Sequence, residues 1–265
     1  MVARSLWHAR PVTSATASAT VDRRRLWWEI GIVLALSLGQ SALYSVLSLL
    51  RALLRTEALS DQSTALNPAQ AEEAVWDAVY RVLDVFFDLC LVALVVYLLW
   101  EPGRNALRRI GLDFRRLPRD LGGAGLLLVV IGVPGLALYA AGRLLGVTVE
   151  VEASSLDAAW WTVPLLVLSA IRAGLLEEVI LNGYLFDRLA RAGWGAWAII
   201  LSTAALRATY HAYQGFGPLI GNFAMGIVFG WCYRRWGRVM PLVLAHAFID
   251  VIAFVGYPLA APYLP

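Results

Sequence analysis

The sequence predicts an all-α fold, a polytopic membrane bundle of about seven transmembrane helices, or eight. Composition, apolar run length and the placement of arginines predict it. Of 265 residues, 60% are hydrophobic and 15% charged, with a mean hydropathy of +0.66, a balance too apolar for an ordinary soluble domain. The apolar residues form runs at 27–50, 74–99, 122–145, 160–183, 195–213, 217–233 and 240–258. Each is close to the about 20 residues that a helix needs to cross a hydrocarbon core of about 30 Å. All 22 basic residues are arginine, and they cluster in alternate connections, as the positive-inside rule requires.

Residues 1–26 are rich in Arg, Ser, Thr and Ala and are expected to be a disordered basic N-terminus. The run that follows is too long for the apolar region of a cleaved signal and reads as an anchor. Arg4, Arg10, Arg23, Arg24 and Arg25 put this terminus in the cytoplasm. The first three runs make an N-terminal helical unit over 27–145. Arg104, Arg108, Arg109, Arg115, Arg116 and Arg119 mark the inner connection between its second and third spans. Within that connection, the stretch IGLDFRRLPRDLGG (110–123) mixes apolar residues with arginine, as an amphipathic segment near 104–121 lying in the interface would.

The last four runs form a core over 160–258, with Arg188 and Arg191, then Arg234, Arg235 and Arg238, again on the inner side. The alternate loops hold Glu57, Asp61, Glu72 and Glu73, or Glu150, Glu152 and Asp157, or no charge. The expected location is the plasma (inner) membrane, multi-pass, with the N-terminus cytoplasmic and the C-terminus external. The lipid bilayer is the first partner. The net charge of +3 is topology, and no basic patch with interleaved aromatics points to nucleic acid. Cys90 and Cys232 have no ligand spacing and read as packing residues. No internal repeat is visible.

Ionisable groups at membrane depth cost at least about 2.5 kcal/mol each, which makes them functional candidates by default. The second span carries Asp77, Arg81, Asp84 and Asp88 on one helical stripe, either a structural face or a contribution to substrate binding. The fourth carries Arg172, Glu177 and Glu178, the fifth Arg207 and His211, the seventh His246 and Asp250. The pairs Arg207/His211 and His246/Asp250 are i,i+4 neighbours on one helix face, so that Asp250 can orient the His246 ring. Glu177 and Glu178 stand about 100° apart around their helix, so only one can point straight into a shared cavity. A carboxylate and two imidazoles in a dry cavity suit hydrolysis. The carboxylate takes a proton from water, one imidazole helps to hold that water, and the other stabilises the oxyanion.

The segments EEVILNG (177–183), RATYH (207–211) and HAFID (246–250) resemble the three motifs of the CAAX protease and bacteriocin-processing family of intramembrane proteases, which includes the type II CAAX prenyl proteases. Those motifs are usually summarised as EExxxR, FxxxH and HxxxN/D. The resemblance spans about 160–255. It implies an intramembrane endopeptidase acting on a membrane-associated protein or peptide, with Glu177 and His211 activating water and His246 with Asp250 forming the oxyanion site. Two positions depart from the family pattern: Asn182 stands where the arginine is expected, and Arg207 where the phenylalanine is expected. Asn182 can donate to Glu178 without cancelling its charge, and Arg207 would then supply the missing cation. The other reading is that Arg207 pairs elsewhere and Glu178 is a neutral acid.

Cofactors stay open. No cofactor is certain; Zn2+ would find ligands in Glu177, His211 and His246, a set that zinc uses with an open water position, but the chain lacks HExxH and Asp250 is placed as a partner of His246. Two other functions compete: a non-catalytic immunity or regulatory scaffold of the same fold, which the Asn182 departure favours, and a proton-coupled transporter, against which stands the lack of an inverted repeat. One geometric tension remains. At 1.5 Å per residue, Glu177 and His246 fall nearer the inner face, whereas His211, about 14 residues into its span, falls beyond the midplane. For them to meet, the stretch HAYQGFGP (211–218) must fold back at membrane depth, where irregular backbone is allowed only if it is buried or lines a cavity.

Overall fold

The computed structural model describes residues 22–152 and 159–260, so the expected disorder of residues 1–21 and the loop residue Asp157 fall outside the described part. The described chain is a bundle of helices with one short parallel strand pair. In chain order the elements are α1 (Arg23–Ala35), α2 (Leu38–Leu53), β1 (Ser63–Ala65), α3 (Ala74–Leu98), α4 (Ala106–Ile110) and α5 (Leu117–Leu144). Then come β2 (Glu150–Glu152), α6 (Thr162–Glu178), α7 (Phe186–Arg191), α8 (Ala196–Tyr210), α9 (Phe216–Trp236), α10 (Met240–Val251) and α11 (Tyr257–Ala260). α6 passes into α7 through a π-helical segment, Val179–Leu185, and α10 into α11 through another, Ile252–Gly256.

The first helix begins earlier than its apolar run, because the Asp22 carboxylate accepts from the backbone N–H of Arg24 (3.0 Å) and Arg25 (3.3 Å) and so satisfies donors left over at the helix start. Residues 23–26, expected to be disordered, are therefore helical. The expected first span is bent by 54° between α1 and α2. At the bend the Ser37 hydroxyl donates to the Val33 carbonyl (2.6 Å), a bond four residues back that competes with the helix ladder. The expected interfacial helix over 110–123 is divided. Gly111, at φ 69°, closes α4 in the left-handed conformation, and α5 starts at Leu117 with Pro118 in its first turn.

Among the described residues, three helical stretches are long and apolar enough to cross a membrane, Leu117–Leu144, Phe216–Trp236 and Met240–Leu259, with the bent α1–α2 pair a fourth if it is one span. α3 is long but carries the four charged residues of its stripe, and α6 and α8 have 17 and 15 residues. Leu126, Val129, Val133 and Leu136 on α5 are all more than half exposed. An apolar face of this extent is a surface made for lipid. Cys232 is buried, but Cys90 lies exposed on α3, so the packing role expected for it is not observed.

Small residues set the closest helix contacts. A Cβ added at Gly174 of α6 would lie 2.9 Å from the Val243 carbonyl oxygen of α10, and one at Gly226 of α9 would lie 2.6 Å from the Ala204 Cα of α8. Such near-backbone approach is how helices gain contact area in lipid. One core joins α1, α3, α4, α7 and α8 through Leu26, Val95, Ile110, Ile180, Leu189 and Ile199. A second joins α5, α9 and α10 through Leu127, Phe229 and Leu242. Beside the first core, buried Arg188 of α7 donates to Glu29 of α1 (2.6 Å) and Asp187 (2.7 Å) and reaches the Leu98 carbonyl. The Tyr184 hydroxyl donates to the same Glu29 oxygen (3.0 Å). This network holds the N-terminal helix to the element that carries the glutamates. Arg188→Leu is expected to lower stability by about 3 kcal/mol, the low end for breaking a buried pair, because Glu29 keeps some solvent. Thermal unfolding in detergent measures it; an unchanged midpoint would reduce the network to screened surface pairs.

Candidate active site

Glu177 and Glu178 are the last two residues of α6, immediately before a π segment whose seven residues are all buried. π-turns of this kind recur at functional sites. The composite helix does not stop at residue 183 as its apolar run suggested but continues to Arg191. From Glu177 to Arg191, and from Ala196 to Tyr210 along α8, are 14 steps each, about 21 Å at 1.5 Å per residue. Glu177 and the end of α8 therefore stand at matching height, and the tension seen in the sequence disappears. His211 follows α8 directly, in a tight turn through Ala212–Gln214 to Gly215. Gly215 has φ 96°, and an added Cβ would sit 3.0 Å from both the Thr148 Cα and the Val147 carbonyl oxygen. Residues 147–149 brace this turn: Val149 N–H donates to the Gln214 carbonyl (3.2 Å) and Phe216 N–H to that of Val147 (3.0 Å).

The two glutamates have different partners. Glu178 is fully buried and both of its oxygens meet nitrogen groups. The Arg207 guanidinium pairs with its Oε1, Asn182 Nδ2 donates to Oε2 at 2.6 Å, and His246 Nδ1 lies 2.8 Å from Oε1. The Arg207–Glu178 contact expected from the sequence is present, with Arg207 itself buried and its guanidinium over the Phe229 ring, 5.5 Å from the centroid. Glu177 is partly open, and its Oε2 faces four groups. The Tyr210 hydroxyl donates to it, Arg207 Nη1 is at 3.4 Å, His246 Nε2 at 3.8 Å and His211 Nε2 at 4.0 Å. His211 Nε2 is buried with no hydrogen-bond partner among the described residues, and its Nδ1 is 3.4 Å from the Gln214 amide.

One expected arrangement differs. The i,i+4 spacing pointed to Asp250 as the group that orients His246, but Asp250 Oδ2 lies at 3.5 Å from Nε2, while Glu178 holds Nδ1 at 2.8 Å. A carboxylate accepts only, so with Glu178 ionised Nδ1 carries the proton and Nε2 is the ring atom turned toward Glu177 and Asp250. Tyr210 and Gln214 were not singled out in the sequence. The signal for both was helical spacing, since Tyr210 stands three residues after Arg207 and Gln214 three after His211. The α3 stripe takes no part in this cluster. Asp77 pairs with Arg81 (2.6 Å), Asp84 accepts from the Gln70 amide (2.6 Å), and Asp88 meets Arg172 of α6 at 3.1 Å.

Glu177, Glu178 and His246 are the group whose donor atoms lie close enough together, within 4.8 Å, to hold a metal ion, in place of the Glu177, His211 and His246 set read from the sequence. Glu178 fits that task poorly. Both of its oxygens already meet protein donors, and Arg207 puts a fixed positive charge where a metal would neutralise the two carboxylates.

Residues 159–252 match the protein-family model described as type II CAAX prenyl endopeptidase, Rce1-like, and this stretch contains every residue of the cluster. None of the curated proteins and none of the solved structures compared matches the chain.

Because Arg207 is the buried cation between the two carboxylates, Arg207→Phe is expected to destabilise the protein by about 3 to 5 kcal/mol. Asn182 already touches Glu178, so an arginine placed there can reach it, and the double variant Arg207→Phe, Asn182→Arg should regain much of the loss. Thermal unfolding of the three proteins decides it: wild-type stability in Arg207→Phe would show that the pair carries nothing.

Proposed function

We propose that this chain, whose residues 159–252 match a family of membrane prenyl endopeptidases, hydrolyses a peptide bond of a membrane-associated protein or peptide, with Glu177 as the general base. The observation that carries the reading is the ring of groups about one oxygen of Glu177: two histidine Nε2 atoms at 3.8 and 4.0 Å, of which the Nε2 of His211 is buried with no hydrogen-bond partner among the described residues. Both spacings are longer than a direct hydrogen bond, so neither ring nitrogen is tied to the carboxylate and each can take a bond to a water at that oxygen.

In the proposed reaction, water held between Glu177 and His211 gives its proton to the Glu177 carboxylate as its oxygen attacks the scissile carbonyl carbon. The carbonyl oxygen becomes an oxyanion, stabilised by the Nε2–H of doubly protonated His246, whose ring is fixed through Nδ1 by Glu178. Preorganised donors of this kind supply much of the rate of such reactions. When the C–N bond breaks, the proton on Glu177 passes to the leaving amine and the carboxylate is restored. Arg207 and Tyr210 orient Glu177 by bonding its Oε2, and Asp250 takes the second carboxylate position beside His246. The match to an endopeptidase family disfavours the scaffold and transporter readings. No step here runs through a metal.

Glu177→Gln preserves shape and removes the base. It is expected to fold and insert normally while cleavage of a prenylated peptide reporter falls at least about a hundredfold; cleavage near the wild-type rate would remove Glu177 from the mechanism. The purified enzyme should also keep its activity after prolonged treatment with a chelator and contain substoichiometric zinc by elemental analysis. Stoichiometric zinc lost together with activity would instead make the glutamates and His246 metal ligands.

A further inference from the structure

A recess of about 190 Å³ lies against the turn that carries His211 and plays no part in the proposed reaction. Its wall includes Ser48, Arg51 and Arg55 from the end of α2 and just beyond it, Gln62 and Thr64 around β1, and Tyr213 from the turn that carries His211. Neither Arg51 nor Arg55 forms a salt bridge among the described residues; Arg55 reaches only the Gln62 side-chain oxygen, at 3.4 Å. Gln62 is buried and held by its amide nitrogen, which donates to the carbonyls of Ala52 (3.0 Å) and Glu57 (3.1 Å). A helix C-terminus accounts for one cation through its dipole. It does not account for two guanidinium groups sharing a recess with hydroxyls.

The same helix supplies an apolar counterpart. Leu43, Leu47, Leu50 and Leu54 are each more than half exposed and recur at helical spacing. Leu47, Leu50 and Leu54 each precede by one residue a member of the cavity wall, namely Ser48, Arg51 and Arg55. One residue is a turn of about 100°, so along α2 the wall residues Ser48 and Arg51 face about a quarter turn from Leu47 and Leu50, and Arg55 follows just past the helix end. We propose that this cavity binds the phosphate of an anionic membrane phospholipid, with its acyl chains laid on the leucine stripe. Guanidinium is suited to phosphate because its donors match two oxygens at once, and basic recesses beside transmembrane helices are places where lipid headgroups bind. Tyr213 forms part of the wall, and its backbone N–H donates to Ser45 of α2 (2.8 Å), so the lipid would sit against the turn that carries His211.

The test is native mass spectrometry of the full chain, stripped in neutral detergent and then titrated with phosphatidylglycerol or with phosphatidylcholine of the same acyl chains. One phosphatidylglycerol per chain is expected to be retained at a concentration at least about tenfold lower than phosphatidylcholine. Arg51→Gln, Arg55→Gln together should abolish that preference, and Arg234→Gln, Arg235→Gln at the far end of α9 should leave it intact. Equal retention of the two lipids by the wild-type chain would overturn the proposal, a result that does not depend on any variant folding. So would a preference that survives the double substitution, displacement of the lipid by millimolar inorganic phosphate, which would mark a site for free phosphate, or displacement by a peptide with a free terminal carboxylate, which would assign the cavity to a peptide.

Discussion

The site is organised around a buried arginine. Arg207 lies between two adjacent carboxylates, paired with Glu178 and within 3.4 Å of Glu177. Without it, two charges on consecutive residues would share a low-dielectric interior, where an unpaired ion costs several kcal/mol. With it, the two glutamates divide the work. Glu178 is enclosed by donors and becomes a fixed anion that grips the His246 ring. Glu177, partly open, keeps an oxygen toward the two histidine rings.

That division explains why the surrounding elements are built as they are. The arginine comes from α8, so α8 must stand at the height of the glutamates. The long helix running on to Arg191 and the brace of residues 147–149 on the His211 turn bring this about. Gly226 lets α9 close on Ala204, one turn before Arg207, and Phe229 of α9 then lies beneath the guanidinium. The helix contact and the ion pair are parts of one arrangement. Glu29, Tyr184 and Arg188 fix the same helix further along, so the glutamates are held from both sides of the π segment.

Much of this was legible in the sequence because charge is so rare in it. The carboxylates, histidines and few arginines in the apolar runs can be enumerated, and the departure of Asn182 and Arg207 from the family pattern suggested one compensating for the other. The sequence was less informative where local rules competed with tertiary ones. The i,i+4 spacing of His246 and Asp250 suggested that Asp250 orients the ring, but Glu178 from another helix holds Nδ1 at the shorter distance. Apolar run length ended the fourth span at residue 183, because the charged residues that follow find their partners, the ions Glu29 and Arg109 and the Leu98 carbonyl, more than 70 residues away in the chain. Tyr210 was hidden because a tyrosine in an apolar helix looks like any packing aromatic until its hydroxyl partner is known. The 54° bend near Ser37, where the hydroxyl bonds the Val33 carbonyl, is not registered by hydropathy.

The π segment between Glu178 and Phe186 carries a consequence for how this chain can vary. A helix fixes the angular offset between side chains along it, and α-helical and π-helical turns differ by one residue in their hydrogen-bonded loop. Deleting a single residue within Val179–Leu185 would let the stretch relax toward α-helix and swing the glutamates by about 100° relative to Tyr184 and Arg188. The two clusters could then not both meet their partners. A substitution in the segment leaves that phase intact whatever it costs in packing, whereas a change in length dials the carboxylates out of phase with the rest of the bundle.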